Sequence, residues 1–182
     1  MNFPLTGEPL ALDLLNTRTA EGDLVADAAG LAAWLAEQAG RLTPVGEVGA
    51  AEVAAVQAVR EAARAALDAV RGGDRPPADA LRALNEALAG APAHRELAWT
   101  EEAGVTASPH RTATPARRLA AELAEAVAEL LTDSRVTSVR ACEAEDCVLV
   151  FLPVHPRRRW CVASACGNRV RVARYYARRK GL

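Results

Sequence analysis

All four cysteines of this chain fall within its last 41 residues. Cys142, Cys147, Cys161 and Cys166 stand in the pattern C-x4-C-x13-C-x4-C, and nothing upstream of them is cysteine. Two close pairs separated by a hairpin-length gap are what a tetrahedral metal requires, because each local turn supplies two thiolates. The spacing predicts one zinc ion per chain, closed by four sulfurs. The alternative is a pair of disulfides, which needs an oxidising compartment. Residues Met1 to Glu8 have neither a basic start nor an apolar run, so no secretory signal is expected. No stretch approaches the ~18–20 continuous apolar residues of a membrane span. The expectation is a cytoplasmic protein with no membrane partner. A closed thiolate set also argues against hydrolytic zinc, which keeps a position open for water.

Charge divides the chain at the same place. Residues 1–134 hold 11 Arg and 20 Asp+Glu, a net of −9, whereas residues 135–182 hold 10 Arg and Lys180 against three acids, a net of +8. The whole-chain value of −1 therefore hides a strongly dipolar molecule. A basic module on an acidic body suggests a polyanionic partner, although thiolates and the body itself could absorb part of the positive charge. Two units follow, an acidic body over 1–134 and a basic zinc module over 138–182, with 132–139 as connector.

The body reads as mainly helical. Residues 9–17 read as a short helix with Pro9 in its first turn through Leu12, Leu14 and Leu15, with a buried strand as the alternative. Asp27 can cap the next helix, in which Leu31, Trp34 and Leu35 share a face before Gly40. Residues 50–71 put Val56, Val59, Ala63, Leu67 and Val70 on one stripe, with Arg60, Arg64, Asp68 and Arg71 opposite. A break at Gly72–Pro77 precedes a helix through Leu81, Leu84 and Leu88. Leu97–Trp99 and Val105–Ala107 flank Glu101–Gly104 as a β-hairpin. His94 and His110 fall in turn-like segments beside prolines. Thr114 caps a long helix with Pro115 at its first position and Leu119, Leu123, Val127 and Leu130 facing inward. With aromatics at only 4% of residues, the core must be built from small side chains in closely approaching helices. Asp13, Asn16 and Thr17 form a polar cluster that either binds a ligand or merely caps a helix end.

In the basic module, Val148–Leu152 reads as a strand, Pro153, His155 and Pro156 as a turn, and Arg157–Trp160 as the return strand. A second turn through Val162–Ala165 leads to a helix from about Cys166 to Arg179, an arrangement resembling a treble clef. The expected fold is thus mainly α with a small β-hairpin, a helical N-terminal domain followed by a four-cysteine zinc finger. Gly167 is expected to pass close to the metal or adopt positive φ. Asn168 is expected to bond local backbone, Arg169 to donate to a thiolate or a carbonyl, and Trp160 to cover the metal. On the terminal helix, Val170, Val172, Ala173, Tyr176 and Ala177 share a face for packing. Arg171, Arg174 and Arg178 cluster on the other, beside Tyr175 and Arg179, as candidate DNA contacts. Arg157, Arg158 and Arg159 could add contacts to the nucleic-acid backbone.

Cys142-x4-Cys147, the triplet Arg159-Trp160-Cys161, and Cys166-Gly167-Asn168-Arg169 before a basic helix together resemble the CGNR zinc-finger family over about residues 138–180. Upstream, Leu12-Asp13-Leu14-Leu15-Asn16-Thr17 with Asp27 and Trp34-Leu35 is similar to the ABATE domain, labelled a stress-induced transcription regulator. The resemblance implies a helical regulator with a DNA-binding finger. Where family hairpins carry a small polar or acidic residue and an Asn/Gly-type turn, this chain has Leu152-Pro153-Val154-His155-Pro156, so its hairpin tip differs. Three readings result. The first is a DNA-binding regulator whose body senses a ligand or forms a homodimer. The second is a zinc-stabilised adaptor for RNA or an acidic protein. The third is an enzyme with a pocket near Asp13, Asn16 and Thr17.

Overall fold

The computed structural model describes residues 3–180. Five helices build the body: α1 (Leu10–Leu15), α2 (Ala28–Glu37), α3 (Ala50–Gly72), α4 (Ala78–Gly90) and α5 (Pro115–Thr132). Helices α3, α4 and α5 pack on one another, α1 lies on α3 and α5, and α2 lies on α3. The cap residues act as their chemistry dictates. The Asp27 carboxylate accepts the Gly30 N–H at 2.8 Å, and the Thr114 hydroxyl accepts the Arg117 N–H at 3.5 Å. Ala63, Ala66 and Ala124 are fully buried among Leu12, Leu31, Trp34, Val56, Leu67, Leu119 and Leu123. Their small volume lets α3 and α5 approach closely. Among the described residues no helix is long and apolar enough to cross a membrane.

One charge of the α3 pattern lies where solvent was expected and is buried. Arg60 is 3% exposed. Its guanidinium makes two bonds to Asp23, at 2.7 and 2.5 Å, and a third to the Thr17 hydroxyl at 2.8 Å. The long side chain reaches across the helix flank to a carboxylate in the loop before α2, which pairs the buried charge, although its Nε–H has no hydrogen-bond partner among the described residues. Helical spacing alone cannot show this, because Asp23 lies 37 residues away.

The hairpin consists of β1 (His94–Thr100) and β2 (Gly104–His110), longer than the sequence suggests, so His94 and His110 are its terminal cross-strand pair rather than turn residues. Gly104, at φ +69°, closes the tight connection. Beyond α5, a 3-10 turn (Val136–Ser138) brings the chain to β3 (Arg140–Ala141), which pairs antiparallel with β4 (Val150–Phe151). The partner of β4 therefore lies upstream of it. The expected return strand at 157–160 is instead a loop, in which the Arg159 carbonyl accepts the Glu143 N–H at 3.1 Å. After a single π turn (Ala163–Gly167), α6 runs from Asn168 to Lys180.

β4 and its flanks are the junction of two apolar clusters. Val150 and Leu152, with Val136 and Val139, belong to the core of the body. Leu149 and Phe151 point the other way, into a cluster with Cys142, Ala144 and Cys161. The period of two in a strand produces this division, and burial on both faces explains why residues 149–152 read Leu-Val-Phe-Leu without alternation. A strand buried on both faces needs partners for its backbone on the open edge. Asn16 supplies them: its amide donates to the Val150 carbonyl at 2.8 Å and accepts the Val150 N–H at 2.9 Å, as a neighbouring strand residue would. Glu8 accepts the Leu152 N–H at 2.9 Å.

Replacing Asn16 with Ala leaves both Val150 backbone groups buried and unpaired, and should cost about 3 kcal/mol of unfolding free energy. Asn16→Asp should be comparably destabilising near neutral pH, since a carboxylate cannot donate to the carbonyl. Urea denaturation of both variants checks this. A second prediction concerns acid. Hydrogen bonding from Arg60 outweighs burial and holds Asp23 below the usual carboxylate range. A depressed carboxylate contributes stability above its unfolded pKa and loses it as pH falls through the folded one. Arg60→Ala should therefore cost about 3 kcal/mol near neutral pH, and the deficit should shrink below about pH 4. Urea midpoints measured across this range test the sign.

Candidate metal centre and nucleic-acid interface

The four cysteine sulfurs converge, all lying within 4.8 Å of one another. Separations are 3.8 Å for Cys147–Cys161, 3.5 Å for Cys161–Cys166 and 3.8 Å for Cys166–Cys147. A tetrahedron with Zn–S bonds of roughly 2.3 Å has edges of roughly 3.8 Å. None of the four forms a disulfide. The donor set and its spacing fit a soft, tetrahedral cation and leave no position for water.

Local backbone explains how the sulfurs meet. Cys142 is fixed when its N–H donates to the Leu149 carbonyl at 2.9 Å, which ties the first knuckle to the start of β4. Asp146, at φ 62°, adopts the left-handed conformation that turns the chain back into Cys147. The Cys161 N–H donates to the Cys142 sulfur at 3.4 Å. The π turn, wider than an α turn, swings Cys166 toward the other three. Burial, followed by hydrogen bonding and repulsion among the sulfurs, pushes the Cys147 thiol up to about 11 and raises Cys161 further. Burial also opposes ionisation of Cys142, but the N–H groups of Cys161 and Ala144 outweigh it and lower that thiol. Four thiolates this close are compatible only around a cation.

The residues around the sulfurs are used unevenly. Arg169 donates to the Cys166 sulfur at 3.6 Å and to the Glu145 carbonyl at 3.3 Å. Trp160 packs with the cysteine cluster. Gly167 has an ordinary negative φ, contrary to one of its expected uses; the reason for glycine is the indole. A Cβ there would lie 3.1 Å from Trp160 Cε3 and 3.3 Å from Cδ2. Asn168 does not bond local backbone: its Oδ1 accepts from Arg171 at 3.3 Å.

The arginines divide into two sets. Arg158, expected among the DNA contacts, is engaged within the protein. It bonds Glu8 and the Cys161 carbonyl, both at 2.7 Å, and stacks 4.3 Å from the Phe151 ring centre. Arg159 pairs with Glu143, and its guanidinium holds that carboxyl below the usual range, with Arg140 and Arg174 adding to the field. Arg157 is exposed and makes no ion pair among the described residues. On α6, every position from Arg171 to Arg179 is exposed, and none of Arg171, Arg174, Arg178 and Arg179 forms a salt bridge among the described residues. Arg179 lies 5.2 Å over the Tyr175 ring, and Tyr175 meets Tyr176 edge to face. Of the expected packing face only Val170 touches the finger's core. Val172 and Tyr176 remain 48% and 58% exposed, because beyond its first turn α6 packs on no other element among the described residues.

The Asp13, Asn16 and Thr17 cluster is buried and fully engaged with protein. Asp13 accepts the N–H groups of Gly7 and Glu8, each at 3.0 Å, and pairs with Arg41 at 2.5 Å. Burial nevertheless outweighs these contacts and raises its carboxyl above the usual range. Thr17 donates to the Leu14 carbonyl at 2.7 Å. None of the three lines the cleft of about 350 Å³ beside them, whose wall is formed by Arg41, His110, Arg118, Glu122 and Glu129. Sequence reading missed Glu8 and Arg41. Glu8 lies five residues before Asp13 and eight before Asn16, a spacing that could have grouped the three acceptors.

Gly167→Ala should displace the indole from the cysteine cluster and cost about 1–3 kcal/mol. A red shift of the Trp160 emission, read in a background with Trp34 and Trp99 changed to Phe, would report it.

No curated protein matches the chain. Two family models do, and neither describes an enzyme. Residues 138–179 match the CGNR zinc finger. Residues 8–134 match ABATE, described as "Putative stress-induced transcription regulator". With that match spanning more than half of its length, the chain belongs to the ABATE family and carries a CGNR zinc finger behind the helical body.

Proposed function

We propose that this protein is a zinc-dependent, DNA-binding transcription regulator, with one zinc per chain held by Cys142, Cys147, Cys161 and Cys166. When bound, zinc supplies structure: it neutralises the thiolates and fixes the two knuckles and the start of α6. The reading rests on one observation above the others, the free state of α6. Arg171, Arg174 and Arg178 follow one side of a helix that no other element covers. The basic helix is thus not docked on the acidic body, and its charge is left for a partner. Tyr175 and Arg179 border the same side of the helix, and Arg157, exposed in the preceding loop, is a further candidate contact. A helix of this width fits a major groove or tracks phosphates. Arg158 is not part of this surface, because it holds the finger to Glu8.

A second reading has its own support. The exposed, mutually packed Tyr175 and Tyr176 could stack unpaired bases, which favours single-stranded RNA. Competition between duplex DNA and single-stranded RNA for the same helix separates the two.

Five outcomes are expected. Mass spectrometry under native conditions should show one zinc per chain, lost in Cys166→Ser. DNA affinity should fall steeply with salt, at roughly −0.9 in log–log slope per phosphate contact. Arg174→Ala should reduce that slope by about one, or cost ~1–3 kcal/mol and relax base preference. The triple change of Arg171, Arg174 and Arg178 to Ala should abolish specific binding with zinc retained; unchanged affinity would remove α6 as the reader. Chelation should lower the melting temperature of the whole chain, because Val139, Val150 and Leu152 belong to the core of the body. Circular dichroism at 222 nm follows it.

A further inference from the structure

The hairpin of β1 and β2 packs against no other element of the described chain. Its register sets Leu97 opposite Ala107 and Trp99 opposite Val105. By the period of two, Arg95, Leu97, Trp99, Val105, Ala107 and Pro109 share one face. The other face is polar, and there His110 lies 3.1 Å from Glu96. The apolar face is open to water: Leu97, Trp99 and Val105 are 70%, 72% and 68% exposed. Scattered apolar residues on a surface need no explanation, but three in contiguous register on a lone hairpin do. Two strands in water are marginally stable without a covered face.

We propose that this face is closed by the same face of a second copy of the chain. Charge selects the arrangement. The tip carries Glu101 and Glu102, and the base of the apolar face carries Arg95. Stacked antiparallel about a two-fold axis, each Arg95 meets the acidic tip of the other copy; stacked parallel, like charges would meet. The edges disfavour strand addition instead, since Pro109 lacks an N–H on β2 and charged Arg95 and Glu96 occupy β1. With an aromatic side chain offering roughly 150–250 Å², the trio leaves on the order of 400 Å² uncovered per copy. Two such faces cover about 800 Å², and the Arg95 and Glu101–Glu102 side chains at their ends add to this toward the lower end of specific interfaces. The proposal does not depend on the DNA reading.

The test is sedimentation velocity of the full, zinc-loaded chain between about 1 and 200 µM, a range that spans micromolar association. The expected result is a concentration-dependent dimer of the 19.2 kDa chain. Trp99→Glu and Leu97→Glu should raise the dissociation constant at least ~10-fold. Their helical circular dichroism should stay unchanged, because the hairpin supports no other element. Arg95→Glu alone, and Glu101→Arg with Glu102→Arg, should each weaken the dimer, and all three together should restore it. A wild-type chain that stays monomeric throughout, leaving the face to a different protein, overturns the proposal. So does a dimer indifferent to Trp99→Glu. Failure of the triple charge reversal to restore association overturns the antiparallel arrangement.

Discussion

The structure depends on how one short strand is held. β4 is buried on both faces, and its open edge has no neighbouring strand to satisfy its backbone. The side-chain amide of Asn16, with one donor and one acceptor in the geometry of a peptide group, takes that place. Glu8 extends the pairing to Leu152 and fastens Arg158. Glu8 is in turn positioned with Asp13, which caps the N–H groups of Gly7 and Glu8 and pairs with Arg41. A chain of polar contacts thus runs from the first residues of the body to the loop that precedes Cys161. In a medium of low dielectric such a network must be complete, since any unpaired member carries the full cost of its desolvation.

This clamp joins the two matched segments of the chain. The matched segments, 8–134 and 138–179, meet in sequence at a short connector. In space they share apolar contacts through Val139, Val150 and Leu152. The cysteine cluster lies on the opposite face of β4, one residue away in each direction. Leu149 and Phe151 pack on the sulfur cluster, and Val150 and Leu152 of the same segment pack on the body.

Among the described residues, two elements leave broad surfaces outside the packing. α6 leaves the finger with its arginines and its apolar stripe alike uncovered, and the β1–β2 hairpin leaves the body with its apolar face open. Elements that bury nothing within a chain cost conformational entropy without return from the core. The acidic body, the basic helix and the amphipathic hairpin divide among them the charge and apolar surface available to partners.

Much was legible in the residues because the signals were local. Cysteine spacing located the sulfur cluster, caps and apolar periodicity located the helices, and Glu101–Gly104 marked the hairpin. These depend on contacts within a turn or two of chain, which the sequence states directly. Long-range pairing was not legible in the same way. Nothing local says that Arg60 turns inward to Asp23, that Asn16 pairs with a residue 134 positions away, or that Arg158 serves Glu8 and not a nucleic acid. The strand partner of β4 was misassigned downstream for the same reason: a two-residue ladder is chosen by burial on both faces, not by propensity. The sequence by itself determined which groups must find partners. Only the tertiary structure decided which partners they find, because a buried charge or amide is satisfied by whatever the packed core brings within hydrogen-bond reach.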